Sequence, residues 1–286
     1  MLAVPEKEPA SSRWATRAAL FAFGLIVATA FLHRLFGMDT PVAFNLVLVT
    51  LAIAAGSIAC AVFAAMTIWS TGRPGTSRVL FAVCLSLALL SLPMFYQVWL
   101  RSFPMLSDIT TDAANPPALT AAVRLRGPGN NSVKYNRAKW SEQQALAYPD
   151  IQPMTIPRSG EESYALVVDA VKRLRMDLTR EDPPDADAGT PGIVEAVDKT
   201  LIMGFLDDVA IRVSGNDETS RVDIRSASRF GRGDMGRNAE RIRALMTEIR
   251  ARVDATVPAA KDDRQQGGKA AKPAKEGGPK SGGRRR

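Results

Sequence analysis

Residues 225–238 read RSASRFGRGDMGRN, and the fold turns on what this stretch is. GRGDMG fits the GxGxxG pattern of a dinucleotide-binding loop, and the tripeptide RGD sits inside it. A dinucleotide loop needs a strand before the glycines and a helix after them. It then needs a second parallel strand bearing an acid about 20 residues on. Upstream the pattern is that of a strand. Val222, Ile224, Ser226, Ser228 and Phe230 alternate with Asp223, Arg225, Ala227 and Arg229 over residues 220–230. Downstream, Ile242, Leu245, Met246 and Ile249 lie at helical spacing, which predicts a helix over 235–253 with Asp234 as its N-cap. Beyond Asp254 no strand-like segment follows. The second condition fails, and with it the nucleotide reading. RGD is read as a chance tripeptide whose aspartate is a helix cap.

Working outward, LDDVAIRV (206–213) and IVEAVDK (193–199) read as two further strands. The turn SGNDET at 214–219 carries Gly and Asn, which tolerate positive φ. A helix is expected after Ser159, where Ser159 and Glu162 form a capping box and Tyr164, Val167, Val168, Val171 and Leu174 make one apolar stripe. It stops before the loop EDPPDADAGTPG at 181–192. These elements define an α+β domain over 161–254: a small antiparallel sheet with two helices on one face. The first face of the last strand faces those helices, its small serines allowing close approach. The other face carries Arg225 and Arg229. Residues 101–160 contain SDITTDAANPPAL and YPDIQPM. They are expected to form an irregular strap ending in a short strand near 152–156. Residues 255–286 have little to build a core from and are expected to be a disordered basic tail.

Before the strap lies a different composition. Residues 41–69 and 79–100 carry no charge over 29 and 22 positions, and residues 18–32 carry none either. A bilayer core needs about 20 apolar residues in a helix. Three transmembrane helices are therefore expected, at about 17–36, 42–69 and 78–100, the first extended past His33 and Arg34, which can snorkel. The basic flank of the first run also fits a cleavable signal ending at Ala28-Thr29-Ala30; two further spans follow in either case. Lys7, Arg13, Arg17, Arg73 and Arg78 flank one side, while only Arg34 and Arg101 flank the other. Positive residues stay inside. The expectation is a multi-pass protein of a bacterial inner membrane, with the N-terminus cytoplasmic and everything after residue 100 periplasmic.

Both cysteines, Cys60 and Cys84, lie in these spans, and the one histidine, His33, lies between the first two. The exported domain has no thiol nucleophile, no histidine base and no cysteine- or histidine-ligated zinc. The net charge of +8 belongs to the ends: residues 1–100 carry +3, residues 255–286 carry +6, and residues 101–254 carry −1. The basic tail has no aromatic residue to stack bases, so nucleic acid is not expected as a partner.

DITTDAANPPAL, YPDI, DDVAIRV and above all RSASRFGRGDMGRNAERI resemble the bacterial DUF 1499 family, over about residues 105–252. The resemblance implies an envelope-associated protein and carries no established reaction and no catalytic residues.

Two kinds of site are legible. A helix N-terminus beside a cluster of arginines is an anion site. Its candidate ligand-binding residues are Arg225, Ser226, Ser228, Arg229, Asp234, Arg237 and Asn238. The competing structural reading pairs Arg225 and Arg229 with Asp207 or Asp208 on the neighbouring strand. Asp108, Asp112, Asp207 and Asp208 are candidates for carboxylate chemistry or for a divalent metal held by oxygen ligands. The competing reading of DITTD is that its side chains hold turns. The function expected is non-enzymatic binding in the envelope, with no cofactor. The partners expected are membrane lipid, an anionic envelope polymer or another envelope protein. The alternative is a carboxylate- or metal-dependent envelope hydrolase or transferase.

Overall fold

The computed structural model describes residues 7–200 and 203–256. The expected tail from 257 onward lies outside the described residues.

Three helices open the chain, α1 (Ala10–Phe36), α2 (Thr40–Thr71) and α3 (Thr76–Leu100), each long and apolar enough to cross a membrane. The protein is on this ground a membrane protein. Gly37 and Gly72 end the first two helices in the left-handed conformation, which a side chain would strain. The three helices meet through small residues. Ala15, Ala19, Ala54, Ala61 and Ala82 are fully buried, while Phe21, Leu48, Phe63 and Phe95 point outward. Lipid tails give no hydrophobic drive to bury a Phe between helices, so close backbone approach decides the interface. Ser86 Oγ donates to Ser57 Oγ (3.0 Å), which donates to Ala15 O (2.9 Å), joining all three helices through hydroxyls.

The remainder is α+β. Six antiparallel strands form one sheet: β1 (Asp108–Thr110), β2 (Met154–Ile156), β3 (Asp177–Asp182), β4 (Gly192–Lys199), β5 (Leu206–Gly215) and β6 (Ser220–Ser228). The order is β1-β6-β5-β4-β3, and β2 shares the outer edge of β6 with β1. Helices α6 (Gly160–Arg173) and α7 (Arg237–Ala255) cover one face. Val167 and Val171 of α6, and Ile242, Leu245 and Ile249 of α7, pack on Val209, Ile211, Val222 and Ile224. Ser159 caps α6 as expected, its Oγ accepting from the Glu162 amide (3.2 Å).

The strap ends in the expected short strand, β2, but is otherwise more ordered than expected. Residues 101–160 also contribute β1 and the short helices α4 (Thr120–Leu125) and α5 (Arg137–Ala147). They also supply the buried core residues Leu106, Ile109, Trp140 and Ile151. The Gln144 amide of α5 reads the edge of β1, accepting from the Thr110 amide (3.1 Å) and donating to its carbonyl (2.7 Å). Segment 111–135, with α4, roofs the sheet face opposite the long helices, where Leu119 and Ala122 meet Ala210 and Ala227. β3 was hidden because its charged residues are at best half-buried and show no apolar alternation.

The domain is seated on one end of the anchor. Phe205 stacks on Phe44 and meets the ring of His33 edge-on. His33 Nδ1 contacts the Met203 carbonyl. Gly204 has φ +74°, and a Cβ there would stand 3.1 Å from Arg34 Cα. Gly233 packs against Leu100, the last residue of α3: a Cβ there would stand 3.4 Å from Leu100 Cδ1.

Candidate functional site

The stretch 225–238 turns out to be an internal lattice. On the roofed face, Arg225 donates to Asp108 through Nε (2.9 Å) and Nη2 (2.7 Å), and to the carbonyls of Pro117 and Val133. Its partner is therefore 117 residues upstream rather than Asp207 or Asp208. Arg229 does bond Asp208, through Nε (3.1 Å) and Nη2 (2.7 Å). Asp208 also accepts from Arg126 Nε (2.7 Å). All these side chains are nearly inaccessible.

The helix-facing side is equally closed. Asn238 is fully buried; its Oδ1 accepts from Ser226 Oγ (2.7 Å) and Arg241 Nη1 (2.9 Å). Its Nδ2 donates to Ser228 Oγ (3.0 Å) and the Ser107 carbonyl (3.2 Å). The serines thus earn their place as hydrogen-bond partners as well as by size. Arg241, unassigned from sequence, donates to Asp207 and Asp198 at 2.7 Å each. Burial works against its charge, and Asp207 and Asp198 more than offset that, so its pKa is raised.

Asp234 is not the N-cap. Gly236 is, with φ +81°, and α7 begins at Arg237. Asp234 instead braces the turn, accepting from the Gly236 amide (2.9 Å) and the Asn238 amide (2.6 Å). Burial raises its carboxyl above the usual range in spite of those donors. Arg237 is the one member of the sequence-predicted ligand set that stays exposed, 3.5 Å from Glu240.

The four aspartates fare alike. Asp112 Oδ1 accepts from the amides of Ala114 (3.0 Å) and Asn115 (2.9 Å), a turn-holding role. Its Oδ2 meets Arg212 (3.3 Å) and Arg221 (3.1 Å). Asp108, Asp207 and Asp208 each accept from a buried guanidinium. Among the described residues no group of three or more His, Cys, Asp or Glu is placed to hold a metal ion. The arrangement neutralises charge and fixes geometry, and leaves these carboxylates committed.

An outward cleft lies beside this lattice, where loop 130–137 meets the glycine turn. Asn131 Nδ2 staples the two, donating to the carbonyls of Ser228 (3.0 Å) and Gly231 (2.8 Å). The cleft measures about 570 Å³ and is lined by Lys134, Tyr135, Arg137, Lys139, Trp140 and Arg232 among others, with no carboxylate. The four cations are exposed and, among the described residues, have no ion-pair partner, whereas Trp140 is 8 % exposed. Trp140 Nε1 and Tyr135 Oη are buried donors without a partner among the described residues. Burial, and then the charge of Asp108, push the Tyr135 phenol up to about 12, so it keeps its proton. The signal for this site was present in NSVKYNRAKW (131–140), three cations interleaved with two aromatic residues. Arg232 ties it to GRGDMG, the stretch in which a ligand loop was first looked for.

No curated protein matches the chain. Residues 108–249 match the family model described as "Protein of unknown function (DUF1499)". That match begins at the first residue of β1 and ends on α7 at Ile249, so it takes in the whole sheet, α6, most of α7 and the arginine lattice, and the domain belongs to the DUF1499 family.

Proposed function

We propose that this chain is a non-enzymatic, multi-pass protein of the bacterial inner membrane. Its N-terminus is cytoplasmic, and its DUF1499 domain sits on the periplasmic face and binds an anionic ligand of the envelope. Membrane lipid is the first such ligand; an anionic envelope polymer or an acidic protein surface fits the same chemistry. One observation carries this reading: interior guanidiniums are matched by carboxylates, while the cleft gathers four cations with no carboxylate in its lining. Uncompensated charge concentrated in a concave site attracts an anion. The domain's lack of histidine and cysteine supports binding over turnover. The excess of Lys and Arg on the other side of the spans supports the orientation.

The test has two readouts on the full chain. A reporter active only in the periplasm, fused after residue 254, is expected to be active. Native mass spectrometry of the chain released from envelopes is expected to show a retained anionic species. Activity only of a cytoplasmic reporter would overturn the orientation, and a chain with nothing anionic retained would overturn the binding role.

A further inference from the structure

We infer that the cleft between loop 130–137 and the glycine turn is a headgroup site for an anionic phospholipid, with the lipid phosphate held by Trp140, Tyr135 and the surrounding cations. This rests on the binding role proposed above and names its ligand class.

Three independent features converge. The first is donors without acceptors. Trp140 and Tyr135 line the cleft, and their indole N–H and hydroxyl are buried just behind its wall and meet no acceptor among the described residues. A buried donor left unmade costs about 1–3 kcal/mol, so a site that supplies an acceptor relieves that cost. Indole donates only, so its partner must be an acceptor. A phosphodiester presents two anionic oxygens, enough to take the indole and the phenol together.

The second feature is charge. Lys134, Arg137, Lys139 and Arg232 surround these donors, and Lys139 lies over the Trp140 ring at 5.5 Å. The N-terminal end of α5 adds the positive pole of an 11-residue helix at Arg137. The neighbouring carboxylate, Asp108, is already held in two hydrogen bonds by Arg225, so it does not compete for the cations.

The third feature is position. Ser107 and Arg232 form one wall of the cleft. Asp234 N–H donates to the Leu106 carbonyl (3.2 Å), and Gly233 packs on Leu100 and Met105. Leu100 closes α3, so the cleft opens close to where a membrane span ends. Phosphate diesters are concentrated at that level of a bilayer. A choline headgroup brings its own cation into a cationic cleft and is disfavoured, which sets a preference for phosphatidylglycerol over phosphatidylcholine.

The experiment uses the full chain, delipidated in neutral detergent. It is titrated in parallel with short-chain phosphatidylglycerol, short-chain phosphatidylcholine and inorganic phosphate. The readout is the indole ¹H–¹⁵N resonance of Trp140, one of four tryptophans, assigned by its loss in Trp140→Phe. Phosphatidylglycerol is expected to move that resonance, and phosphatidylcholine to leave it in place. Native mass spectrometry is expected to show phosphatidylglycerol binding weakened roughly tenfold in Trp140→Phe, the size of one lost hydrogen bond to a charged group. The exposed double variant Lys134→Gln, Arg137→Gln is expected to weaken it at least as much while unfolding at the wild-type temperature. That variant keeps the test valid should the tryptophan variant pack poorly. A resonance moved equally by inorganic phosphate at the same concentration overturns the lipid assignment and makes the ligand a soluble phosphate. A resonance moved by none of the three overturns the site, the cleft then holding solvent only. Phosphatidylglycerol retained equally by wild type and both variants overturns the cleft assignment while leaving the binding role standing at another place.

Discussion

Two sets of cations lie side by side in this domain and are treated in opposite ways. Arg225, Arg229 and Arg241 are almost wholly buried, and each meets a carboxylate in hydrogen-bonded contact. Lys134, Arg137, Lys139 and Arg232 line an open cleft with no carboxylate. Burying a guanidinium is tolerable only where a partner and further acceptors replace water. Holding several exposed cations together costs little in water and gains only when an anion arrives. The first set therefore specifies the fold, and the second is where we propose that a ligand binds. The difference is one of solvent rather than of residue type: arginine serves both.

The largest effect is expected from Asp208→Ala. It leaves Arg126 and Arg229 buried together without their shared carboxylate, and should cost about 3–5 kcal/mol, read by denaturant unfolding. A cost no greater than that of emptying the cleft would erase the distinction. Asn238→Ala comes next. It removes partners from Ser226, Ser228, Arg241 and the Ser107 carbonyl and should cost about 1–3 kcal/mol in the same assay.

A subtler effect concerns pH. Burial raises Asp234 above the ordinary carboxylate value of 3.8, and Asp207 adds to the rise. The native state then holds that proton more tightly than the unfolded chain. This contribution is fully present below 3.8 and is lost as pH climbs through the raised value. Relative to Asp234→Asn, the wild type should lose stability across that window and run parallel to the variant above it. Unfolding curves taken at a series of acidic pH values decide this, and a wild type that gains stability relative to Asp234→Asn as pH rises would reverse the assignment. The smallest effect is expected from Lys134→Gln with Arg137→Gln, whose stability should stay within about 0.5 kcal/mol of wild type. A marked loss would show that the cleft cations belong to the fold after all.

What the sequence disclosed followed from how local the signal was. Ser159 before Glu162, the stripe Val167–Val171 and the alternation through Val222 and Ile224 are readable within one element, and all three stand in the structure. β1 is three residues long and owes its place to pairing with β6, so nothing local announces it. The partner of Arg225 was misread for the same reason. Adjacent strands offered Asp207 and Asp208, while the actual carboxylate, Asp108, stands opposite Ala227 in the register of a strand that had not been recognised. The cleft went unread because the run of cations and aromatic residues over 131–140 does not by itself show a concave site; Arg232 joins it only once Asn131 binds the glycine turn.

The pairing of β1 with β6 also sets an order of events during synthesis. Asp108 leaves the ribosome 117 residues before Arg225. At about 5–20 residues per second that separation takes roughly 6–25 s. Throughout it the first strand has no neighbour to complete its edge, and its aspartate has no guanidinium to face. The sheet cannot close from its N-terminal edge inward. Its β1 and β2 edge can join only after β6, the last strand to be made, and the DITTD segment is drawn in at that stage. A nascent chain arrested before Ser220 would hold five of the six strands and the whole anchor, yet lack the one strand on which both β1 and β2 depend.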